Sequence, residues 1–375
     1  MSDQKICTRC VMDTTDTEIV FDENGVCNLC KDYDLRITKD LYTGDEAKNR
    51  LESLVKRIKK RGRKNEYDCL IGVSGGVDST YVAYLVKKVY GLRPLVIHLD
   101  NGWNSELSVA NIEQVLKRLD IDFYTEVLDW EEFKDIQISF LKSGISNIEI
   151  PTDHAIWATL IKTAAKKKIP YIIAGNNVVT ESIMPNSWIY GSKDSKLIRG
   201  IHKKYGTMKM KSYPYLTLFD YVDYLLIRGI KWVPILNYVE YVKQYVKKFL
   251  IDELGWRDYG GKHYENIYTR FFHAYYLPEK FGFDLRKSYL SALICSGQIT
   301  REDALNELSN PPAPSNQLEQ DKEYVIKKLG LSEQLLQDMI KGPNKSFRDY
   351  PNNNIFWQKF SSFVRLARQK IIKVE

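Results

Sequence analysis

Between residues 68 and 177, short apolar runs alternate with stretches whose apolar positions recur every three or four residues. The runs DCLIGV (68–73), RPLVIHLD (93–100), DFYTEVLD (122–129) and YIIAGNN (171–177) predict strands. Helices are predicted over DSTYVAYLVKKVYG (78–91), SELSVANIEQVLKRLD (105–120), EEFKDIQISFLKSG (131–144) and DHAIWATLIKTAAKKK (153–168). Gly91 closes the first and Thr152 caps the last. This rhythm indicates an α/β fold, a doubly wound parallel sheet whose ligands bind at the carboxyl ends of strands. The polar punctuation SGGVDS, HLDNGW and AGNN falls at those ends.

From about residue 218 the rhythm becomes helical, through 237–255, 265–277, 284–297, 300–308 and a terminal FWQKFSSFVRLARQKII. Thr300 and Asp303 have the spacing of a capping box. Composition adds little: 44% of the 375 residues are hydrophobic, enough for a substantial core. No stretch approaches a bilayer span, and MSDQKICTRC lacks the apolar segment of a signal peptide, so the expected location is cytoplasmic. The net charge of +7 concentrates in KRIKKRGRK (56–64). Beneath that run Leu51, Leu54, Val55 and Ile58 mark the inner face of a helix, so the charges read as its solvated side rather than a nucleic-acid patch.

Four of the six cysteines crowd into the first thirty residues as Cys7, Cys10, Cys27 and Cys30, a C-x2-C-x16-C-x2-C pattern. Each C-x-x-C turn aims two thiolates at one tetrahedral ion, and between them 18–26 reads as a hairpin turning at Asn24-Gly25. A zinc ribbon with a structural Zn²⁺ is expected, an iron–sulfur cluster being the competing metal. Cys69 and Cys295 stand alone and read as buried, inert thiols. The chain therefore divides into a ribbon (1–45), an α/β nucleotide domain (46–217) and a mainly helical part (218–375).

At the end of the first strand, LIGVSGGVDST bares two glycine backbones just before a helix starts. Backbone N–H groups and the helix N-terminus together make a phosphate cradle. No lysine follows until Lys87, which excludes the common G-x-x-x-x-G-K-[ST] loop, and G-x-G-x-x-G is absent.

Ser74-Gly75-Gly76-Val77-Asp78-Ser79 resembles the PP-loop, SGGxDS, of N-type ATP pyrophosphatases of the adenine nucleotide alpha hydrolase-like fold. The resemblance implies ATP cleavage between its α- and β-phosphates, with Ser74 and Ser79 donating to the pyrophosphate and Asp78 holding Mg²⁺. It also implies that Leu99-Asp100-Asn101 frames the adenosine and that Ala174-Gly175-Asn176-Asn177 approaches the α-phosphate. Over nearly the whole chain, CTRCVMDTTDTEIVFDENGVCNLC, IGVSGGVDSTY, GGKHYENIYTRFFHAYYLPEKFGFD and SALICSGQITREDAL resemble the N-acetyl sugar amidotransferases of bacterial O-antigen biosynthesis. That resemblance implies conversion of an N-acetyl group on a UDP-sugar, of the UDP-2,3-diacetamido uronic acid type, into an acetamidino group. ATP would adenylate the amide oxygen, and ammonia would displace AMP. Ammonia would come from a separate HisH-like glutaminase, resembling that of imidazole glycerol phosphate synthase, with a HisF-like cyclase companion. Independently, position 2 is serine and neither Cys69 nor Cys295 has a nucleophile's setting, so the nitrogen must arrive from outside.

Cleavage of the α–β bond needs a cation, and Lys262 in Gly260-Gly261-Lys262-His263 is the first choice. Asp153-His154 at a helix start is a candidate for removing a proton from the nitrogen, against a plain helix cap. Trp103, Trp188 and Tyr190 are candidate stacking surfaces for substrate or adenine.

Two rival readings remain. A tRNA-thiolating enzyme also combines a PP-loop with zinc-binding cysteines and a basic surface. A scaffold would use the ribbon and helical tail to dock a glutaminase without performing chemistry.

Overall fold

The computed structural model describes residues 4–357 and 359. In the N-terminal segment, isolated antiparallel bridges join Ile6 to Asp13 and Phe21 to Cys27. The turn expected at Asn24-Gly25 forms, with Gly25 at φ +77° and the Asp22 carboxylate accepting from the Asn24 and Val26 N–H groups. Pairing stops at that single bridge, so the segment is a knuckle rather than the expected hairpin ladder. Cys27 leads directly into α1 (Asn28–Asp40), and α2 (Gly44–Gly62) follows. Leu51, Leu54, Val55 and Ile58 are buried beneath α2 while its lysines and arginines stay in solvent, as the apolar spacing predicts.

The central chain runs β1 (Cys69–Gly72), α3 (Val77–Tyr84), β2 (Pro94–Asp100), α4 (Glu106–Leu119), β3 (Phe123–Val127), α5 (Trp130–Ser143), α6 (Ile150–Lys166), β4 (Tyr171–Ala174), α7 (Val178–Glu181), α8 (Ser195–Tyr205), α9 (Leu218–Tyr221) and β5 (Lys231–Pro234). All strand pairs are parallel and the sheet order is β3-β2-β1-β4-β5. The chain winds outward from β1 to β3, then returns to place β4 on the other side of β1. That reversal is a topological switch point, where strand ends splay and leave a crevice. Cys69 and Ile71 face a core shared with α2 and α4, while Leu70 and Ile172 face a second core under α6. Strands buried on both faces explain the uninterrupted apolar runs.

The fifth strand lies beyond residue 218, where the sequence rhythm reads as helical. KWVP is too short to show alternation and ends in proline. It is recruited by packing: Trp232 stacks on Trp157 of α6 with ring centroids 3.8 Å apart. Helix α6 also starts earlier than expected, at Ile150, with Pro151 in its first turn.

The remaining helices are α10 (Lys243–Leu254), α11 (Ile267–Phe271), α12 (Leu277–Phe281), α13 (Arg286–Cys295), α14 (Arg301–Ser309), α15 (Ser315–Leu329) and α16 (Glu333–Lys341). Helices α11 and α12 are joined by a wide π turn at Phe272–Tyr276. Pro278 supplies no N–H to Ala274, and widening the turn relieves the clash of its ring with that carbonyl. The Thr300–Asp303 capping box forms at the start of α14. The knuckle docks here: Arg301 donates to the Cys10 and Cys7 carbonyls at 3.0 and 3.1 Å, and Val11 N–H donates to Ser291 Oγ at 3.3 Å. The expected terminal helix has its start at 354–357, and the rest of it lies outside the described residues. No helix among the described residues is long and apolar enough to cross a membrane.

Candidate active site

Beyond β1, Val73 N–H still donates to Ile97 at 2.9 Å, then the chain turns sharply at Gly75 (φ +82°). A Cβ there would lie 2.9 Å from both Ser108 Oγ and the Tyr259 hydroxyl. The Gly75 carbonyl is pulled away from the crevice by Trp256 Nε1 (2.8 Å) and the Tyr259 hydroxyl (2.6 Å). Ser108 Oγ holds the Ser74 carbonyl at 3.0 Å. With the Ser74 and Gly75 carbonyls held, the first turn of α3, which has no side-chain cap, is left for an anion, while the Ser74 and Gly76 N–H groups make only long bonds of 3.3 Å to the Ser79 and Ser74 hydroxyls. The Ser74 and Ser79 hydroxyls make only long contacts of 3.3–3.4 Å with each other and with the loop backbone, so both can turn to a ligand.

The end of β4 closes the other side. A Cβ on Gly175 would sit 3.0 Å from the Asp78 carbonyl carbon and 3.1 Å from Ser79 N. Only glycine lets the end of β4 and the start of α3 meet this closely. Tyr241, in the segment after β5, donates its hydroxyl to Asp78 Oδ1. Lys243 opens α10 in the same wall, its pKa lowered by burial and by the nearby charge of Lys262. Lys262 lies 3.6 Å from Glu181 Oε1 and over the Tyr289 ring. Burial works against ionisation of Glu265, yet its bond to His263 and the charges of His263 and Lys262 hold its pKa below the usual value.

Two cavities meet at this point. One, of about 550 Å³, runs from the strand ends at Gly72, Ile97 and Leu99 to a polar end at Asn147, Glu149, Asp153 and Thr269. The other, of about 700 Å³, opens beside Asp78, Ser79, Lys243, Tyr259 and Arg286. Ser74, Gly175, Asn176, Lys262, His263 and His273 line both. His273 comes from the π turn, and burial, reinforced by the charges of His263 and Lys262, keeps its pKa far below the ordinary value. Burial, with Asp153 nearby, raises Glu149 to about 8; Asp153 is exposed to the cavity, and only the protein packed around it raises it, to about 7.

The structure thus brings Ser74, Gly76, Asp78, Ser79, Leu99, Gly175, Asn176, Lys262 and Asp153 to the cavity walls. Gly75 acts through its conformation. Asp100 is not brought there: its Oδ1 accepts from Gly102 N–H at 2.8 Å and from Asn104 at 3.3 Å, tying down its own turn. Nor do the aromatic candidates stack in the site. Trp103 is fully buried, donates to Gln137 at 2.8 Å and packs on Trp130 and Tyr268. Trp188 is buried against Phe283, and Tyr190 stacks on Phe347 with its hydroxyl on Asp194. His154 is structural, bonded to the Ser192 carbonyl at 2.6 Å and to Leu216 N–H at 3.0 Å, and burial lowers it to about 4. Sequence reasoning missed Lys243, Tyr241, Glu149, Tyr259 and His273. Only Glu149 left a local signal, a second acid four positions before Asp153.

The four knuckle cysteines are buried, with all sulfurs within 4.8 Å of one another. Cys7 and Cys30 are 3.9 Å apart, Cys10 and Cys27 3.7 Å. A tetrahedron of Zn–S bonds has an edge of about 3.8 Å, so the set is compatible with zinc. Cys7 Sγ also accepts the Cys27 N–H at 3.2 Å, as suits a thiolate. Cys295 is not the isolated thiol expected, since its sulfur lies 3.7 Å from that of Cys30.

A glycine-bared loop at the switch point of a parallel sheet, backed by lysines, defines the PP-loop class of ATP-using, ligase-type enzymes, and residues 47–209 match the NAD synthase family. Residues 265–364 match the family described as LPS biosynthesis protein WbpG-like, C-terminal domain, and the two matches together support the N-acetyl sugar amidotransferase resemblance. An uncharacterized protein, MJ1599, from Methanocaldococcus jannaschii is 22% identical over 324 residues, 86% of this chain and 99% of that one. A tRNA-specific 2-thiouridylase, MnmA, from Chlamydia abortus is 37% identical over 82 residues, 20% of this chain and 22% of that protein. Among solved structures, an NH3-dependent NAD synthetase from Campylobacter jejuni aligns at 13% identity and TM-score 0.29, covering 80% of this chain and 98% of that one. NMN synthetase from Francisella tularensis aligns at 15% and 0.33, covering 76% and 97%. Structural overlaps this low carry no weight here.

Proposed function

We propose that the protein is an AMP-forming amidotransferase that converts an N-acetyl group of a nucleotide-activated sugar, of the UDP-diacetamido uronic acid type, into an acetamidino group. One observation carries the reading. Glu265, Thr269, His273 and Tyr289, all within the WbpG-like region, complete the walls of the cavities that meet at the phosphate loop. The part of the chain that resembles glycan-biosynthesis proteins therefore faces the point where ATP would be cleaved.

In this reading the loop N–H groups and the Ser74 and Ser79 hydroxyls grip the β- and γ-phosphates as a leaving pyrophosphate. Lys243 and Lys262 neutralise the charge that builds up as the α–β bond breaks. Asp78, oriented by Tyr241, would hold Mg²⁺, which supplies further charge neutralisation when bound. The amide oxygen forms a bond to the α-phosphorus, and pyrophosphate leaves with the bonding pair. A carbonyl of an amide is a poor electrophile, but with its oxygen carried on AMP the carbon accepts a nitrogen and AMP departs. Ammonia is supplied in solution or by a separate glutaminase of the imidazole glycerol phosphate synthase kind with its cyclase companion. Cys69 is sealed inside β1 and Cys295 lies against Cys30, so among the described residues neither is set up as a glutaminase nucleophile.

The test uses the purified chain with Mg-ATP, ammonium and UDP-2,3-diacetamido uronic acid carrying ¹⁸O in the acetyl groups. An amidine product with ¹⁸O in AMP is expected. Label in inorganic phosphate with ADP formed would refute adenylation. The partial identity to the thiouridylase favours tRNA thiolation as the second reading. Against it, neither Cys69 nor Cys295 lines either cavity.

A further inference from the structure

The far end of the first cavity holds two carboxylates for which nucleotide cleavage has no use. Glu149 immediately precedes α6 and Asp153 lies one turn further on, so both project from the same face. Glu149 is 7% exposed and does not cap its helix. Instead its Oε2 accepts from Thr269 Oγ1 at 2.8 Å and its Oε1 from Thr152 Oγ1 at 3.4 Å. Asp153 is exposed, lining the cavity, and neither acid pairs with a lysine or arginine. A separate observation marks this wall as built for a polar ligand. Thr159, further along α6 in the lining of the same cavity, is 6% exposed and its hydroxyl has no hydrogen-bond partner. A buried polar atom left unpaired costs stability, and a ligand in the cavity would relieve that cost.

Acceptors without a cation, in a pocket contiguous with the phosphate loop, suit a small cation that is all donors. We propose that Glu149 and Asp153 bind ammonium and remove its proton, so that ammonia is generated beside the activated carbon. The proposal rests on the amidotransferase reading above. The atoms balance as follows: ammonium gives one proton to a carboxylate, and the ammonia lone pair forms the C–N bond. The C–O bond breaks with its pair going to AMP. The nitrogen just bound sheds a proton to the second carboxylate.

The environment supports the role. Burial, helped for Glu149 by Asp153, lifts the two acids to about 8 and about 7, so near neutrality each can both take and give a proton. Uncharged groups face them, Tyr268 and Thr269 from α11, His273 from the π turn, and Tyr213, whose hydroxyl is occupied by the Pro151 carbonyl; Glu181, Lys262, His263 and Glu265 line the same cavity.

The test separates the two halves of the reaction, using UDP-2,3-diacetamido uronic acid as acceptor. Adenylation is read as acceptor-dependent exchange of labelled pyrophosphate into ATP without ammonium. Nitrogen transfer is read as amidine formed from ammonium chloride, or the hydroxyamidine formed from hydroxylamine, which is mostly uncharged at neutral pH and needs no proton removed before it attacks. Glu149→Gln and Asp153→Asn should keep the exchange within about threefold. Each should lose about a hundredfold with ammonium and recover most of the rate with hydroxylamine. Asp153→Asn, at the cavity surface, decides the matter should Glu149→Gln fail to fold. Unchanged ammonium rates in the variants would overturn the proposal, as would equal losses with both nucleophiles. Absence of acceptor-dependent exchange in the wild type would instead sink the amidotransferase reading, and this proposal with it.

Discussion

The hydroxyl of Tyr241 donates to Oδ1 of Asp78, linking the segment after the edge strand β5 to the helix that follows the phosphate loop. Burial, together with the Asp78 charge, raises the Tyr241 pKa, so it remains a donor at every working pH. A carboxylate that is to hold a metal gains its orientation from such a partner. Tyr241→Phe should therefore lower the rate of pyrophosphate release about tenfold and raise the Mg²⁺ concentration needed for half-maximal rate. Asp78→Ala should abolish AMP formation with the circular dichroism spectrum unchanged.

At Gly175 the prediction concerns space. An added methyl group would press on the Asp78 backbone, which is part of a helix start and cannot rotate away. Gly175→Ala should cost about 1–3 kcal/mol of stability from overpacking. The larger effect should be on ATP binding, read by calorimetry, because the loop and the β4 end move apart.

A stability measurement over pH tests the setting of Glu149. Its pKa is raised from 4.5 to about 8 by burial and by Asp153, so the folded chain retains a proton that the unfolded chain has lost between those values. Protons bound to the folded state alone make stability fall as pH rises through this window. Glu149→Gln removes the titration. Its melting temperature should gain on wild type steadily from pH 5 to 8.5, with little difference at the lower end. Parallel curves for the two proteins across that range would show that the burial argument is wrong.

The cysteine knuckle yields a prediction about metal. Cys10→Ser removes one corner of the four-sulfur set, and zinc measured by mass spectrometry should drop from about one per chain to well below that. The melting temperature should fall as well, since metal binding at such sites contributes directly to folding. The residual folded fraction should still form AMP.

The parts of this molecule that could be read from sequence are those whose cause is local. β1, β2 and β4 are apolar because both faces are covered, and SGGVDS carries its own turn, cradle and helix start within six positions. β5 could not be read, because KWVP becomes a strand only where Trp232 meets Trp157. Proximity in sequence misled at Trp103 and Asp100: Asp100 ends β2 and Trp103 follows it, yet the turn directs Trp103 into the core and ties Asp100 to the backbone of the turn. Lys243, Tyr241 and His273 reach the site from later elements, and only the assembled fold brings them to Asp78 and Lys262.

The knuckle also grips the wall of the crevice: Tyr33 donates to the Val179 carbonyl at 3.2 Å and Arg36 to that of Ser182 at 3.1 Å, on either side of Glu181. During synthesis it leaves the ribosome long before its anchor at Ser291, which lies 280 positions downstream of Val11. The thiols therefore wait, undocked, until most of the chain has been made, and contacts this distant in sequence close late. Metal capture early in translation would protect them through that interval, tying the supply of zinc in the growing cell to the yield of finished enzyme.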